Sequence, residues 1–370
     1  MNSFNISTTS NETPVASSVP NFSVTLKERV DEYFRTAGIS TAGDSRMVLK
    51  CAVYLGGLFA TYFWILSNSL SPLGMLGASM LLGFFCAAVG INIGHDAIHR
   101  ALSKQTWLNK VMSCTFTFLG ADVGVWRNLH NVIHHTYTNV PQADGDLHPV
   151  QWLRFFPKEG KKWLHQFQHF YAFGLYSLTT IVWVFQKDYV HIRKKQHLIY
   201  KKPRATFSDW SALLIGKAVY YAVFIVIPLI VLNVAWWQVA IGFVALHLVS
   251  GFCLAMVFQL GHLVEGTDFP SLGKDGRVQG AWLEHQLRTS ADFATQSTTA
   301  NFLFGGLNFQ IEHHLFPTIC HVHYPQIAPI VKKTAKEFGL PYVEFKTFRQ
   351  ALTSHRNHLR TTGIADAWTF

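Results

Sequence analysis

Two long stretches without a single formal charge dominate this chain of 370 residues. One runs from Cys51 to Gly94, 44 residues, and the other from Ala218 to Val264, 47 residues. A helix needs about 20 apolar residues to cross the hydrocarbon core of a bilayer. Each stretch therefore holds two crossings and a turn. Asn68-Ser69-Leu70-Ser71-Pro72 marks the turn in the first. In the second, the break falls near residues 233–238, where Trp236 and Trp237 suit the headgroup level. The predicted spans are residues 48–67, 73–93, 212–233 and 238–258.

Each pair of spans is a hairpin, so the chain ends on the side where it began. Arg100, Lys104 and Lys110 follow the first hairpin, and the basic run "RKKQHLIYKKPR", residues 193–204, precedes the second. The turns inside the hairpins carry no charge. The positive-inside rule then places both termini and the middle segment in the cytoplasm. The predicted fold class is an all-α integral membrane protein, with four transmembrane helices in two hairpins and a cytoplasmic His-rich helical cap.

Residues 170–186 are also uncharged, but a crossing there would move the basic run outside. This segment is expected to lie in the interface or against the cap. Residues 109–126 contain Lys110 and Asp122 and are expected to be shallow as well. Residues 1–25 are rich in Ser, Thr, Asn and Pro, hold only Glu12 as a charge, and lack the basic start of a signal peptide. The expected organisation is a polar leader over 1–45, largely disordered at its start, a membrane domain over 46–345, and a tail over 346–370. The five cysteines form no CxxC pair and read as small buried thiols. The net charge of +10 accompanies no nucleic-acid motif. It reads as membrane-surface anchoring, on a surface that an acidic redox partner could also use.

Histidine is in excess, with 19 residues. Three clusters stand beside the hairpins. "HDAIH" holds His95 and His99, "HNVIHH" holds His130, His134 and His135, and "QIEHH" holds Gln310, His313 and His314. Spacings of three and four put members of a cluster on one helical face. A lone histidine is ordinarily a core or surface residue, but three such faces on one side of a membrane point to metal. Seven imidazoles exceed the four ligands of one tetrahedral zinc and suit two metals. A metal pair there would meet substrates that partition into the bilayer, and the chemistry that needs one is oxidation of an unactivated C–H bond with O2. Asp96, Asp144, Asp146, Asp292 and Glu312 are nearby acids that could receive the outer N–H groups of bound imidazoles. A His-rich metal transporter is the reading from another class. It would place ionisable ligands within its spans, where only His247 sits deep.

"HDAIH", "HNVIHH" and "QIEHHLFP" resemble the three histidine boxes of the membrane fatty-acid desaturases. The Gln of "QIEHH" resembles the front-end branch, which desaturates between the carboxyl end and an existing double bond. "GGLNFQIEHHLFP" and "HVHY" extend the similarity, which covers residues of about 47 to 345. The resemblance implies two Fe ions, O2 as cosubstrate, and a fatty acyl substrate as CoA thioester or lipid ester. The implied metal ligands are His95, His99, His130, His134, His135, His313 and His314. His262, directly after the fourth predicted span, resembles a further ligand, with His285 as its rival. Asp96, Gln310 and Glu312 are candidates for the layer behind the ligands. His148, His321 and His323 are read as second-layer or structural, and His165, His169, His191, His197, His355 and His358 as surface or packing residues.

The His-Pro-Gly-Gly mark of a fused haem domain is absent, since His148-Pro149 is followed by Val150. The expected electron donor is therefore a separate ferredoxin or small cytochrome, and a bacterial inner membrane is favoured over the endoplasmic reticulum. An acyl hydroxylase on the same fold is the alternative enzyme.

Overall fold

The computed structural model describes residues 21–365, apart from 142, 148–150, 157–158, 195, 198–199 and 202–203. The start of the predicted leader and His148 lie outside the described residues. Four helices are long and apolar enough to cross a membrane: Ser45–Leu66, Pro72–Ile98, Phe207–Val231 and Trp236–His262, here spans one to four. They confirm the two hairpins. Spans two and four continue past the predicted ends at 93 and 258, so His95 and His262 belong to the spanning helices themselves. Each has 27 residues, or about 40 Å at 1.5 Å per residue. That exceeds a hydrocarbon core of about 30 Å.

Local chemistry explains the turns. Asn68 adopts a left-handed φ of 57°, which Asn tolerates better than most residues. Ser71 caps span two by accepting from the Gly74 N–H, with Pro72 in the first turn. Asn68 also joins the two hairpins. Its Oδ1 accepts from the Asn233 N–H at 2.7 Å, and its Nδ2 donates to the Val231 carbonyl at 3.0 Å. Deeper in, spans two and four meet at Gly83, where an added Cβ would lie 2.2 Å from the Leu246 carbonyl oxygen.

The 170–186 stretch is a broken helix that enters beside span four from the cap side and reaches the depth of His247. It comprises Gln168–Tyr176, Thr179–Val182 and a π turn at Trp183–Lys187. Its longest unbroken run, Thr179–Arg193, covers only about 22 Å, short of a hydrocarbon core of about 30 Å. The segment packs on span four, where Thr180 Oγ1 bonds the His247 carbonyl and Nδ1. It packs on span three through Lys217, buried, whose Nζ lies 2.8 Å from Asp188 Oδ2 and donates to the Gly120 and Trp183 carbonyls. A buried cation needs such a set of partners.

Part of the predicted leader is a structured helix. Phe22–Ala37 is capped by Asn21 and ends at Gly38 with φ 63°. Phe22, Leu26, Val30 and Phe34 recur every four residues and pack with Ile327, Val331 and Ala335 of Tyr324–Glu337. The predicted tail is likewise packed, as the helix Phe348–Ile364. His355 donates from Nδ1 to the Leu263 carbonyl at 2.7 Å and meets the Tyr176 hydroxyl at 3.0 Å through Nε2. His358 donates to the Phe155 carbonyl at 3.0 Å. His165, His355 and His358 are thus buried packing residues rather than surface ones, and His169 is buried as well.

Two outcomes follow from this packing. Gly83→Ala should destabilise the protein by about 1–3 kcal/mol through overpacking, whereas Gly77→Ala, with nothing within 4 Å of its added Cβ, should not. Thermal unfolding in detergent separates them. Burial pushes His355 and His358 down to about 4, from about 6.5 when unfolded. The unfolded state then binds more protons in that window, so stability falls as pH drops from 6.5 towards 4. Hydrogen exchange at pH 7 and pH 5 should show the 348–364 helix loosening at the lower pH.

Candidate metal centre

Eight imidazoles converge from four segments. His95 and His99 end span two, His262 ends span four, His130, His134 and His135 lie at 130–135, and His313 and His314 lie on the helix Gln310–Leu315. None is more than 6% exposed. Two of the segments carry π turns, Gly90–Gly94 before His95 and Asn128–His134. Such turns are frequent at functional sites. In the second, the rings of His130 and His134 stack at 5.1 Å.

The rings form overlapping nests. One ligand atom from each of His95, His99, His130 and His313 lies within 4.8 Å of the others. The same holds for His134, His262 and His314, and for His135, His313 and His314. Outer nitrogens are held by the protein. His134 Nδ1 donates to Asp144 at 2.9 Å, His130 Nδ1 to Asp146 at 2.8 Å, His262 Nδ1 to the Thr289 carbonyl at 3.1 Å, and His314 Nδ1 to Gln286 Oε1 at 2.7 Å. Each bond leaves Nε2 as a bare lone pair. These lone pairs face each other: His262 Nε2 lies 3.2 Å from His314 Nε2, and His95 Nε2 lies 3.4 Å from His130 Nε2. His99, His134 and His313 have an Nε2 without a protein partner, as have both nitrogens of His135. Buried polar atoms are almost always paired. Facing lone pairs fit a shared cation, so this donor set fits metal.

The electrostatics agree. Burial, then the neighbouring imidazoles, push His130, His135, His313 and His314 well below the ordinary value. His99 is lowered by burial and His95. These rings are held neutral, as ligands must be. At His134 burial acts downward too, but the Asp144 carboxylate overrides it and raises the pKa.

Of the residues predicted behind the ligands, Gln310 reaches in, with Nε2 2.8 Å from His262 Nε2. Asp96 Oδ2 accepts from His321 Nδ1 at 2.7 Å and from Cys320 Sγ at 3.1 Å, and Lys50 Nζ sits 2.7 Å from His321 Nε2. Glu312 instead meets Tyr342, whose hydroxyl bonds it at 3.0 Å and Asp292 at 2.6 Å. Burial raises Glu312 well above the carboxylate range and Asp292 to about 6. His285 is buried but belongs to none of the nests among the described residues. His323 donates to the Ala42 carbonyl at 3.0 Å, a structural role.

Sequence reading missed several participants. Trp126 stacks on His130 at 4.2 Å, and Gln286 holds His314. Asn139 Nδ2 ties together the carbonyls of His262, Asp268 and Thr289. Asn139 and Trp126 flank the second box by a few residues, which is the one signal that pointed to them. His247, the deep histidine, is bonded to the Tyr220 hydroxyl at 2.6 Å and to Thr180. It is a satisfied core residue, which counts against a transport path through the spans.

The fold and site define a multi-pass membrane protein with buried histidine clusters of the kind that hold metal. A family model described as Fatty acid desaturase matches residues 70–346. The chain is 35% identical over 347 residues to the acyl-lipid (8-3)-desaturase of Physcomitrium patens, covering 93% of this chain and 72% of that one. It is 34% identical over 342 residues to the sn-1 linoleoyl-lipid 6-desaturase of Synechocystis sp., covering 92% and 95%. A third relative, the acyl-lipid (8-3)-desaturase of Mortierella alpina, is 31% identical over 367 residues, covering 96% and 80%. The chain belongs to the fatty acid desaturase family, whose members are oxidoreductases of the di-iron, histidine-box kind.

Because Asp144 fixes the His134 ring, Asp144→Asn should weaken binding of added Fe2+ or Co2+ by about 10–100-fold. Equilibrium dialysis against the wild type checks this.

Proposed function

We propose that the chain is a front-end acyl-lipid desaturase that introduces a cis double bond into an acyl chain esterified to a glycerolipid. The buried, outward-tethered imidazoles at the ends of spans two and four carry this reading. The names of the relatives support the lipid ester over the CoA thioester. In this reading His95, His99, His130 and His313 would hold one iron and His134, His262 and His314 the other, and His135 shares a nest with His313 and His314. An iron pair bound there would supply activation of O2 for hydrogen removal from acyl methylenes.

The chain's own residues do the rest. Asp144, Asp146, Gln286 and the Thr289 carbonyl orient the rings and fix which nitrogen faces inward. Burial excludes water from the nests. Gln310 offers an amide rather than a fourth imidazole to the His262 group. Two substrate hydrogens, two electrons and two protons convert one O2 into two waters. The electrons come from a separate ferredoxin or small cytochrome, and exposed Arg100, Lys104 and Lys110 suit its acidic face. The proposed location is a bacterial inner membrane with cytoplasmic termini.

Expression in a host fed defined fatty acids tests the activity. The expected product is an alkene with its new bond between the carboxyl end and an existing double bond. An alcohol would instead identify a hydroxylase. His134→Ala and His313→Ala should each abolish the product while the protein still inserts. His262→Ala should lose about one iron per chain and nearly all activity, while His285→Ala keeps both irons. Iron analysis giving the reverse pattern would make His285 the ligand.

A further inference from the structure

Away from the imidazoles, a pocket of about 550 Å3 opens between the start of the Gln168–Tyr176 helix and the end of the Phe348–Ile364 helix. Its charged wall is Lys161, Arg356 and Arg360, and no carboxylate is among its described lining residues. The two arginines stand one turn apart, on one face of their helix. Its other wall is aromatic. Trp163, Phe167 and Phe170 are 76%, 47% and 63% exposed, and the Arg356 guanidinium lies 5.4 Å from the centre of the Phe170 ring. His169 also lines the pocket. It is only 8% exposed, and its Nδ1 has no partner in the protein.

Position narrows the ligand. Just past the far end of the Gln168–Tyr176 helix, the Ser177 carbonyl abuts Gly251 of span four, and Thr180 meets His247 deeper in the same span. The helix therefore runs from the pocket down along the spans. The pocket stands at the cytoplasmic headgroup level, where exposed aromatic rings and basic side chains gather.

We propose that this pocket binds the phosphate headgroup of an anionic glycerophospholipid, at a site separate from the imidazole nests. Arg356 and Arg360 offer planar forks that match phosphate oxygens, and His169 offers an imidazole nitrogen. The exposed rings offer a path for the acyl tails into the bilayer. A soluble phosphate would use the cations but would gain nothing from the aromatic rim. The site does not depend on which lipid is desaturated.

Native mass spectrometry of the full chain, delipidated and offered equal phosphatidylglycerol and monogalactosyldiacylglycerol, tests this. Wild type should retain one phosphatidylglycerol preferentially. The double variant Arg356→Gln/Arg360→Gln should weaken that retention by about thirtyfold, from about 1 kcal/mol per basic residue at the surface. Lys27→Gln/Lys333→Gln, with the same charge change at exposed positions elsewhere, should not. Equal retention of both lipids by the wild type overturns the proposal, and that arm needs no variant to fold. Displacement of the lipid by millimolar inorganic phosphate also overturns it, because the pocket would then be a site for the free anion.

Discussion

Everything in this fold answers to one awkward arrangement: eight imidazoles in a nearly water-free space, with lone pairs turned toward each other. Leaving a buried donor or acceptor unpaired costs about 1–3 kcal/mol per group. Several such atoms stand together here, so the arrangement persists only where surrounding structure enforces it and a cation rewards it. The enforcement is visible in the outer bonds. Asp144 accepts from His134 and from the Asn139 N–H, and its other oxygen accepts from the N–H groups of Asp146 and Leu147. One carboxylate thereby fixes a ring and the loop behind it.

The spans serve the same end. Spans two and four exceed the hydrocarbon thickness, and the surplus turns carry His95 and His262 clear of the lipid while leaving them rigid. Two long helices hold His95 and His262 in register only if they cannot slide past each other. The Gly83–Leu246 contact and the Asn68–Asn233 tie act at separate depths to prevent that. The broken helix at 168–193 fills the space beside spans three and four, and Lys217 and Thr180 fasten it. It covers polar groups on those spans without crossing the membrane.

What the sequence made legible was whatever depends on composition over a long window. Two uncharged runs were enough for the hairpins, and residue type with local spacing was enough to gather the histidines. The helical ends were less legible, because π turns at Gly90–Gly94 and Asn128–His134 leave no mark in hydropathy. Partners brought from far along the chain were hidden. Gln286 meets His314, and Lys50 meets His321, across sequence gaps that no spacing rule spans. The Phe22–Ala37 helix was hidden differently. Its four buried apolar residues, Phe22, Leu26, Val30 and Phe34, are sparse among charges, so its overall polarity masked a clear period of four.

The acids around the nests divide into two kinds, and charge explains the division. Neutral imidazoles cannot offset the charge of a bound cation, so a metal in the nests would need carboxylates within a few ångströms. Asp144 and Asp146 contact the His134 and His130 rings directly, and Asp96 reaches His95 Nδ1 at 3.8 Å. Two of these three also face a lysine or its partner: Lys187 lies 3.3 Å from Asp146, and Lys50 reaches Asp96 through His321. Glu312 and Asp292 have no such cation among their described bonds and share the Tyr342 hydroxyl instead. Burial therefore raises both, Glu312 well above the carboxylate range and Asp292 to about 6, so that a proton held on Glu312 is shared with Asp292. Glu312 sits inside the third histidine cluster by sequence, yet it braces that helix through Tyr342, while the acids nearest the rings come from Asp96 and from the loop after the second cluster.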